Sequence, residues 1–534
     1  MGFPTIEASE VGGSGLLWLF LSYGGVLFYA SNLISEGSEL LLLVPSLAGI
    51  VGSCVLPVLG AVPDGAIMLF SGMGSREEAQ ANLAVGVGAL AGSTIMLLTI
   101  PFGAAILAGR VDLDANGEAH YKKRPKLSAK AGVASGVTPG RDVRTGAVVM
   151  ALTTLAYSIL QVPALFIAGD SEAKAFGERG FALFGLVWTL GSFVAYLVFQ
   201  VKSARSSEMQ KAKVDEIIKL RMLRGEISLA GALGELLVAG GGCSAAPGGA
   251  AYGGVGAAVL DADATSRLAG ILRPFYLRYD TDRNDRLDYH ELGSLYHDVG
   301  ESLDDGEVQA LMREFDLDNS GDISFDEFVL GIAAHIAARY CATNGEKIAA
   351  PEDDEGDDEE ETPPEDMLHL SPAQQQTAIK KRALIKLLLG TTLVVVFSDP
   401  MVDVMSEIGV RTGVPPFYVS FVLAPLASNA SELIASYFYA LKKTSKSITI
   451  SFAALEGAAC MNNTFCLAIF CGLVHFKGLA WSYSAETLAI VLVQWLVASF
   501  ALKKTLTPRD ALCVFAIYPL SLILVAGLEA AGLD

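Results

Sequence analysis

Apolar residues in this 534-residue chain form long blocks at both ends, and polar residues gather in the middle. Five mostly apolar runs lie near 14–33, 39–72, 82–109, 145–168 and 181–201. Five more lie near 383–405, 414–441, 447–475, 484–502 and 510–530. A helix that crosses a bilayer needs roughly 20 such residues, so the pattern predicts an all-α membrane protein of about ten transmembrane helices. Two of the runs are overlong and interrupted. Pro57, Gly60 and Pro63 break 39–72, and Pro415, Pro416 and Pro425 break 414–441. Broken helices at matching places in two halves point to a transporter's binding site.

The loops set an orientation, because Lys and Arg accumulate on the cytoplasmic side. With the N-terminus outside, the cytoplasmic loops 110–144, 442–446 and 503–509 hold fourteen basic residues, against five in the alternate loops. This places the insert 202–382 in the cytosol and both termini on the non-cytoplasmic side, in a plasma membrane or a vacuolar or other endomembrane. The expected division is an N-terminal membrane half 1–201, a linker 202–264, a calcium-loop pair 265–340, an acidic linker 341–382 and a C-terminal membrane half 383–534. The first linker runs from the basic stretch Lys202–Arg224 into AGGGCSAAPGGAAYGGVGAA, a flexible composition. The opening MGFPTIEASEVGGSG has no basic residue before the first apolar run, unlike a signal peptide. It also has Ile6 where a myristoylation motif needs Ser or Thr.

Composition agrees with a membrane protein carrying a soluble insert. Charged residues make up only 18 % against 52 % hydrophobic, and mean hydropathy is +0.45. The net charge of −20 comes largely from the calcium-loop region and from PEDDEGDDEEETPPED at 351–366, most simply a solvated linker. Such a balance argues against nucleic acid as a partner and for inorganic cations and the lipid bilayer. The seven cysteines form no CxxC or Cys/His cluster, so neither a disulfide framework nor a zinc site is expected. There is no nucleophile–base motif and no phosphate-binding loop, so a transporter is expected rather than an enzyme, and one without ATP drive.

Two twelve-residue segments carry the spacing of a Ca2+ loop, in which oxygens at positions 1, 3, 5, 7, 9 and 12 surround the ion and position 6 turns sharply. DLDNSGDISFDE offers Asp316, Asp318, Ser320, the Asp322 carbonyl, Ser324 and Glu327, with Gly321 at the turn. Ile323, at position 8, suits the short strand that pairs two such EF-hands. DTDRNDRLDYHE offers Asp280, Asp282, Asn284, the Arg286 carbonyl, Asp288 and Glu291. Here Asp285 replaces the glycine, which predicts a strained and weaker site.

Two carboxylates, Asp64 and Glu432, fall centrally in the interrupted runs, and intramembrane acids are functional candidates by default. Their settings repeat: Pro57-Val-Leu-Gly-Ala-Val-Pro-Asp64 parallels Pro425-Leu-Ala-Ser-Asn-Ala-Ser-Glu432. Downstream, Leu90-Ala-Gly-Ser-Thr-Ile-Met96 parallels Leu455-Glu-Gly-Ala-Ala-Cys-Met461. An odd number of helices between the copies makes the halves inverted five-helix repeats, with a site at the midplane between them. Glu456, Asp399 and Asp403 also lie in or near apolar segments, where the pattern gives them no more than vestibule positions.

These segments resemble the α-repeats of the cation/Ca2+ exchanger superfamily, at about 55–100 and 423–466. The best signatures are GAVPD (60–64), LAGSTIMLLT (90–99), PLASNASE (425–432) and MNNT (461–464). With the EF-hand pair between them, the whole resembles the EF-hand-containing sodium/calcium-exchanger-like proteins of plants and algae. The resemblance implies Asp64 and Glu432 as central cation ligands, with Ser93, Thr94, Ser428, Asn429, Asn462 and Asn463 completing the cage. It implies Ca2+ as the transported ion, Na+ or H+ as counter-ion, and regulation by Ca2+ at the EF-hands. Gly60 and Ala61 stand where animal-type exchangers have Thr and Ser, and Leu97 replaces a polar ligand. Ser428-Asn429-Ala430-Ser431-Glu432 is closer to the cation/proton exchangers, which keeps H+ as the alternative to the favoured Na+. A membrane-anchored Ca2+ sensor and a Ca2+-regulated channel are the alternatives of other classes. Paired intramembrane acids argue against the first, and broken inverted repeats argue against the second.

Overall fold

The computed structural model describes residues 6–44, 55–114, 116–123, 125–128, 134–167, 171–206, 218, 262–282, 284–298, 305–318, 320–333 and 372–533. The chain forms two compact units. One comprises Met1–Ser38, Ile50–Met209 and Ile385–Asp534, and the other Glu39–Gly49 and Gln210–Leu384.

The helices in chain order are α1 (Gly13–Leu42), α2 (Leu56–Gly60), α3 (Val62–Ser71), α4 (Arg76–Gly109), α5 (Arg141–Thr153), α6 (Tyr157–Phe166) and α7 (Ser171–Ser206). Then come α8 (Ala262–Tyr279), α9 (Tyr289–Asp298), α10 (Asp305–Phe315) and α11 (325–333). The C-terminal part has α12 (Pro372–Thr412), α13 (Pro416–Ser428), α14 (Ala430–Leu441), α15 (Ser445–Met461), α16 (Leu467–Lys477), α17 (Ser484–Ala501) and α18 (Pro508–Ala530).

Among the described residues, eight helical spans are long and apolar enough to cross a membrane, or nine when the bent pair α13–α14 counts as one. The difference from ten falls on the run 39–72. Residues 45–54 of it lie outside the described residues, residues 39–42 are the end of α1, and 56–71 form the short helices α2 and α3.

Helix α4 organises the larger unit. Ser75 and Glu78 start it with a reciprocal capping box, the Ser75 amide donating to Glu78 Oε2 at 2.9 Å. From Leu83 onward it is buried almost all round, as an apolar helix in the centre of a bundle must be. Its small residues let α13 approach backbone to backbone. A Cβ at Gly88 would lie 2.4 Å from the Phe417 carbonyl oxygen, and one at Gly92 would lie 2.1 Å from that of Phe421. Small residues four apart serve the same purpose in many membrane helix pairs. Phe102 stacks on Phe452 of α15 at 4.3 Å between ring centroids. Away from this centre, α7 leaves Phe176, Phe184 and Trp188 exposed, an apolar face suited to lipid.

Terminal chemistry stops and starts the other helices. Thr507 and Asp510 cap α18, with Pro508 at its first turn. α16 ends at Gly478 in the left-handed region, φ 65°. The chain after α14 enters the same region at Lys443, φ 51°. There the Lys126 ammonium donates to the Lys442 and Lys443 carbonyls at 3.1 and 2.9 Å, covering orphan acceptors of a helix end.

The all-α expectation needs one correction outside the EF-hands. The 110–144 loop contains a two-stranded ribbon, β1 (Val111–Asp112) with β2 (Ser135–Gly136). Asp112 organises it, accepting from Lys123 at 2.6 Å and from the Ser128 amide at 3.0 Å as well as its hydroxyl. The Lys123 bond, then those from Ser128, hold the Asp112 carboxyl down to about 2. Strands of two residues leave no alternating pattern to read, which is why the ribbon was not foreseen.

Candidate cation site and EF-hand pair

Both central acids sit in the first turn after a break. Asp64 follows Pro63 at the start of α3, and Glu432 lies at the start of α14, where the span bends by 60°. Helix N-termini present unsatisfied amides and a partial positive charge, so each acid is placed where a helix end favours it. Asp64 is buried and Glu432 is half-buried.

Side chains from both halves meet at Asp64. Ser93 of α4 donates to its Oδ1 at 3.0 Å. Asn429, at the bend between α13 and α14, donates to its Oδ2 at 3.3 Å. Glu432 reaches back in the other direction: its Oε1 would lie 3.7 Å from a Cβ at Gly60, in the first break. Its Oε2 accepts from Ser431 at 2.9 Å. One helix over, the Asn462 amide donates to the Thr94 hydroxyl at 2.9 Å. Ser428 is buried and donates to the Ala424 carbonyl, at 3.1 Å, within its own helix.

Asn463 departs from the expected cage. Its amide forms a reciprocal pair with Gln494 of α17, at 2.7 and 2.8 Å, and donates to the Thr153 hydroxyl at 2.9 Å. The reason is angular: successive residues of a helical turn project in different directions, so Asn462 and Asn463 in the π-turn Asn462–Cys466 face different neighbours. Gln494 and Thr153 are buried or half-buried polar partners that the sequence reading did not name. The only signal was a lone amide in the apolar run 484–502.

The arrangement can hold cation charge. Two carboxylates supply up to two negative charges in a low-dielectric setting, and hydroxyl and amide oxygens stand beside them.

In the other unit, the two calcium loops have EF-hand geometry. β3 (Arg286–Leu287) pairs antiparallel with β4 (Ile323–Ser324), with Leu287 opposite Ile323. Carboxylate oxygens of Asp280, Asp282 and Glu291 converge within 4.8 Å of one another, and so do those of Asp316, Asp318 and Glu327. The position-12 acids are already oriented: Glu291 Oε1 accepts from the Thr281 amide at 2.7 Å, and Glu327 Oε1 from the Leu317 amide at 3.0 Å. This oxygen-only donor set fits Ca2+. Ser320 donates to the Asp322 carbonyl at 2.8 Å and accepts from the Arg286 guanidinium at 2.7 Å, which ties the loops together. Asn284 Oδ1 accepts from the Arg286 amide at 2.7 Å. Asp288 caps the following helix through the Glu291 amide at 2.8 Å, as Ser324 does less closely for Glu327 at 3.4 Å. Tyr276, not foreseen, shares its hydroxyl between the Asp285 and Ile323 carbonyls at 2.8 and 2.9 Å. It ties the turn of one loop to the strand of the other.

Comparison with known proteins follows the same division. Residues 272–332 match the EF-hand domain pair, and residues 382–527 match the sodium/calcium exchanger protein family. The sodium/calcium exchanger NCL2 of rice (Oryza sativa subsp. japonica) is 30 % identical over 96 % of this chain and 85 % of its own. The sodium/calcium exchanger NCL of Arabidopsis thaliana is 28 % identical over 96 % of this chain and 85 % of its own. A crystal structure of the H+/Ca2+ exchanger CAX aligns over 97 % of this chain and 85 % of that one, at 11 % identity and a TM-score of 0.44. Two matched families in one chain, and likeness along nearly its whole length to the NCL proteins, make this protein a member of the sodium/calcium exchanger family that carries an EF-hand pair.

Proposed function

We propose that the protein is a secondary antiporter that moves Ca2+ against Na+ through a centre built on Asp64 and Glu432. In this reading the membrane part is ten helices arranged as two inverted five-helix repeats. The EF-hands lie in the cytosol, and Ca2+ bound there regulates exchange. The observation that carries it is the crossing of partners between the breaks: Asn429 donates to Asp64, and Glu432 abuts Gly60.

Charge supplies the mechanism. A centre with two ionised acids and no cation is strongly disfavoured in the membrane interior. One Ca2+ neutralises it, and so do two Na+ or two H+. If the helices around it change sides only when it is neutral, influx of one species is tied to efflux of the other. Ser93 and Asn429 hold the Asp64 oxygens in place, and Ser431 does the same for Glu432. Asn462 and Thr94 are the neutral oxygen donors on the facing helices.

The H+ reading has its own support in the Ser428–Glu432 motif and in Gly60 and Ala61, which remove hydroxyl ligands a sodium site would use. The test is 45Ca2+ uptake into proteoliposomes under an imposed Na+ or H+ gradient, for wild type and Glu432→Gln. Uptake driven by Na+ and lost in the variant is the expected result. Uptake driven by H+ alone moves the protein to proton exchange while keeping the centre. No gradient-driven uptake by folded protein would sink the antiporter reading.

A further inference from the structure

Glu456 lies in α15, six residues before Asn462, and it is 1 % exposed. Neither carboxylate oxygen has a hydrogen-bond partner among the described residues. Gly146 of α5 makes the room it occupies: a Cβ there would lie 2.3 Å from Glu456 Oε2. On the side of α7, a Cβ at the adjacent Gly457 would lie 3.3 Å from the Tyr196 hydroxyl, which already accepts from Gln200. Asn463, seven residues after Glu456 in the π-turn that follows α15, is committed to Gln494 and Thr153. The acid therefore belongs neither to the Asp64–Glu432 centre nor to the neighbouring amide pair.

The titratable and charged groups on the elements around it are few. α15 itself contributes Cys460 and, at its first turn, Lys446; α7 contributes Tyr196, its charged residues lying toward its two ends. α5 has Arg141, Asp142 and Arg144 in its first turn, ahead of Gly146, and α14 has Glu432 at its start with Tyr437 and Tyr439 further along. α2 has none, and α4 has none after Glu78. A bare carboxylate in such a place costs far more than folding tolerates, and the group neutralises instead. A metal ion would need several converging oxygens. Among the described residues, acids gather closely enough for that only in the two EF-hand loops. A proton meets the requirement alone.

We propose that Glu456 is a proton-binding site separate from the cation centre, and that exchange requires its protonated form. Asn462, which bonds Thr94, follows directly on the C-terminal end of α15, so a charge appearing at Glu456 perturbs the helix that leads into the centre. The functional half of this proposal rests on the exchanger reading, whereas the protonation half does not.

The two halves are tested separately on the full-length protein. Infrared difference spectra in H2O and D2O read protonated carboxyl groups directly, and Glu456→Gln should remove one such band at neutral pH. An unchanged spectrum means Glu456 is ionised and overturns the proposal, even if no uptake is found in wild type. In proteoliposomes, a single proton makes wild-type 45Ca2+ uptake fall about tenfold per pH unit once the site deprotonates. Glu456→Gln, a fixed neutral mimic, should abolish that alkaline fall. Protons competing with Ca2+ at Asp64 and Glu432 act with the opposite sign, raising uptake as pH rises, so the two effects separate. An alkaline fall that persists in the variant overturns the functional half. Should Glu456→Gln not yield monodisperse protein with intact EF-hand Ca2+ binding, Gly146→Ala replaces it. Its methyl displaces Oε2, so it should shift the alkaline limb; an unmoved limb counts against the proposal.

Discussion

Asp285 adopts φ 57° at the turn of the first EF-hand loop, where the second loop has Gly321 at φ 90°. A side chain in that region carries a strain of about 1 kcal/mol, less for Asp than for bulkier residues. Asp285→Gly should therefore tighten Ca2+ binding at the first loop by about fivefold, read by calorimetry on the full chain; unchanged or weaker binding refutes the strain argument. Asn463 makes a sharper distinction at the same scale. As a partner of Gln494, its replacement by Leu strands a buried amide, at a cost of about 1–3 kcal/mol. The double variant Asn463→Leu with Gln494→Leu should recover most of the thermal stability in detergent, with the Ca2+ KM near wild type. A large rise in KM would instead make Asn463 a ligand.

The telling element is α4, whose glycines were legible in the sequence as part of a repeat but not as a contact surface. Gly92 faces the Phe421 carbonyl so closely that Gly92→Ala must push α13 away. Overpacking of this kind destabilises by about 1–3 kcal/mol. Gly472→Ala, with nothing within 4 Å of the added carbon, is the control and should be near neutral in thermal unfolding. Equal effects of the two would remove the close-packing argument. The broken runs were readable because proline leaves a mark in any sequence. That Asn429 crosses to Asp64 was not, because the bend of 60° that aims it is a property of two helices packed on α4.

On the scale of the whole molecule, the proposed regulation couples two units through Ca2+. Glu327→Gln removes the position-12 carboxylate of the second loop and should weaken Ca2+ binding there by at least about 10-fold. Under the regulated-antiporter reading, uptake then loses its dependence on Ca2+ added to the EF-hand side, while the transport KM at the membrane centre stays put. Uptake that still responds to Ca2+ in this variant assigns regulation elsewhere.

What the sequence determined by itself was whatever depends on composition and local spacing. The apolar runs, both EF-hand loops with the left-handed turn at Asp285, and the parallel motifs around Asp64 and Glu432 all follow from residues near one another in the chain. Bilayer thickness and ion size set those spacings directly. The tertiary structure decided which polar groups meet. It directed Asn462 to Thr94 and Asn463 to Gln494, gave Tyr276 to both calcium loops and left Glu456 without a hydrogen-bond partner among the described residues. Neighbouring residues on a helix face different partners, and only the packing of the other helices settles what each one finds there.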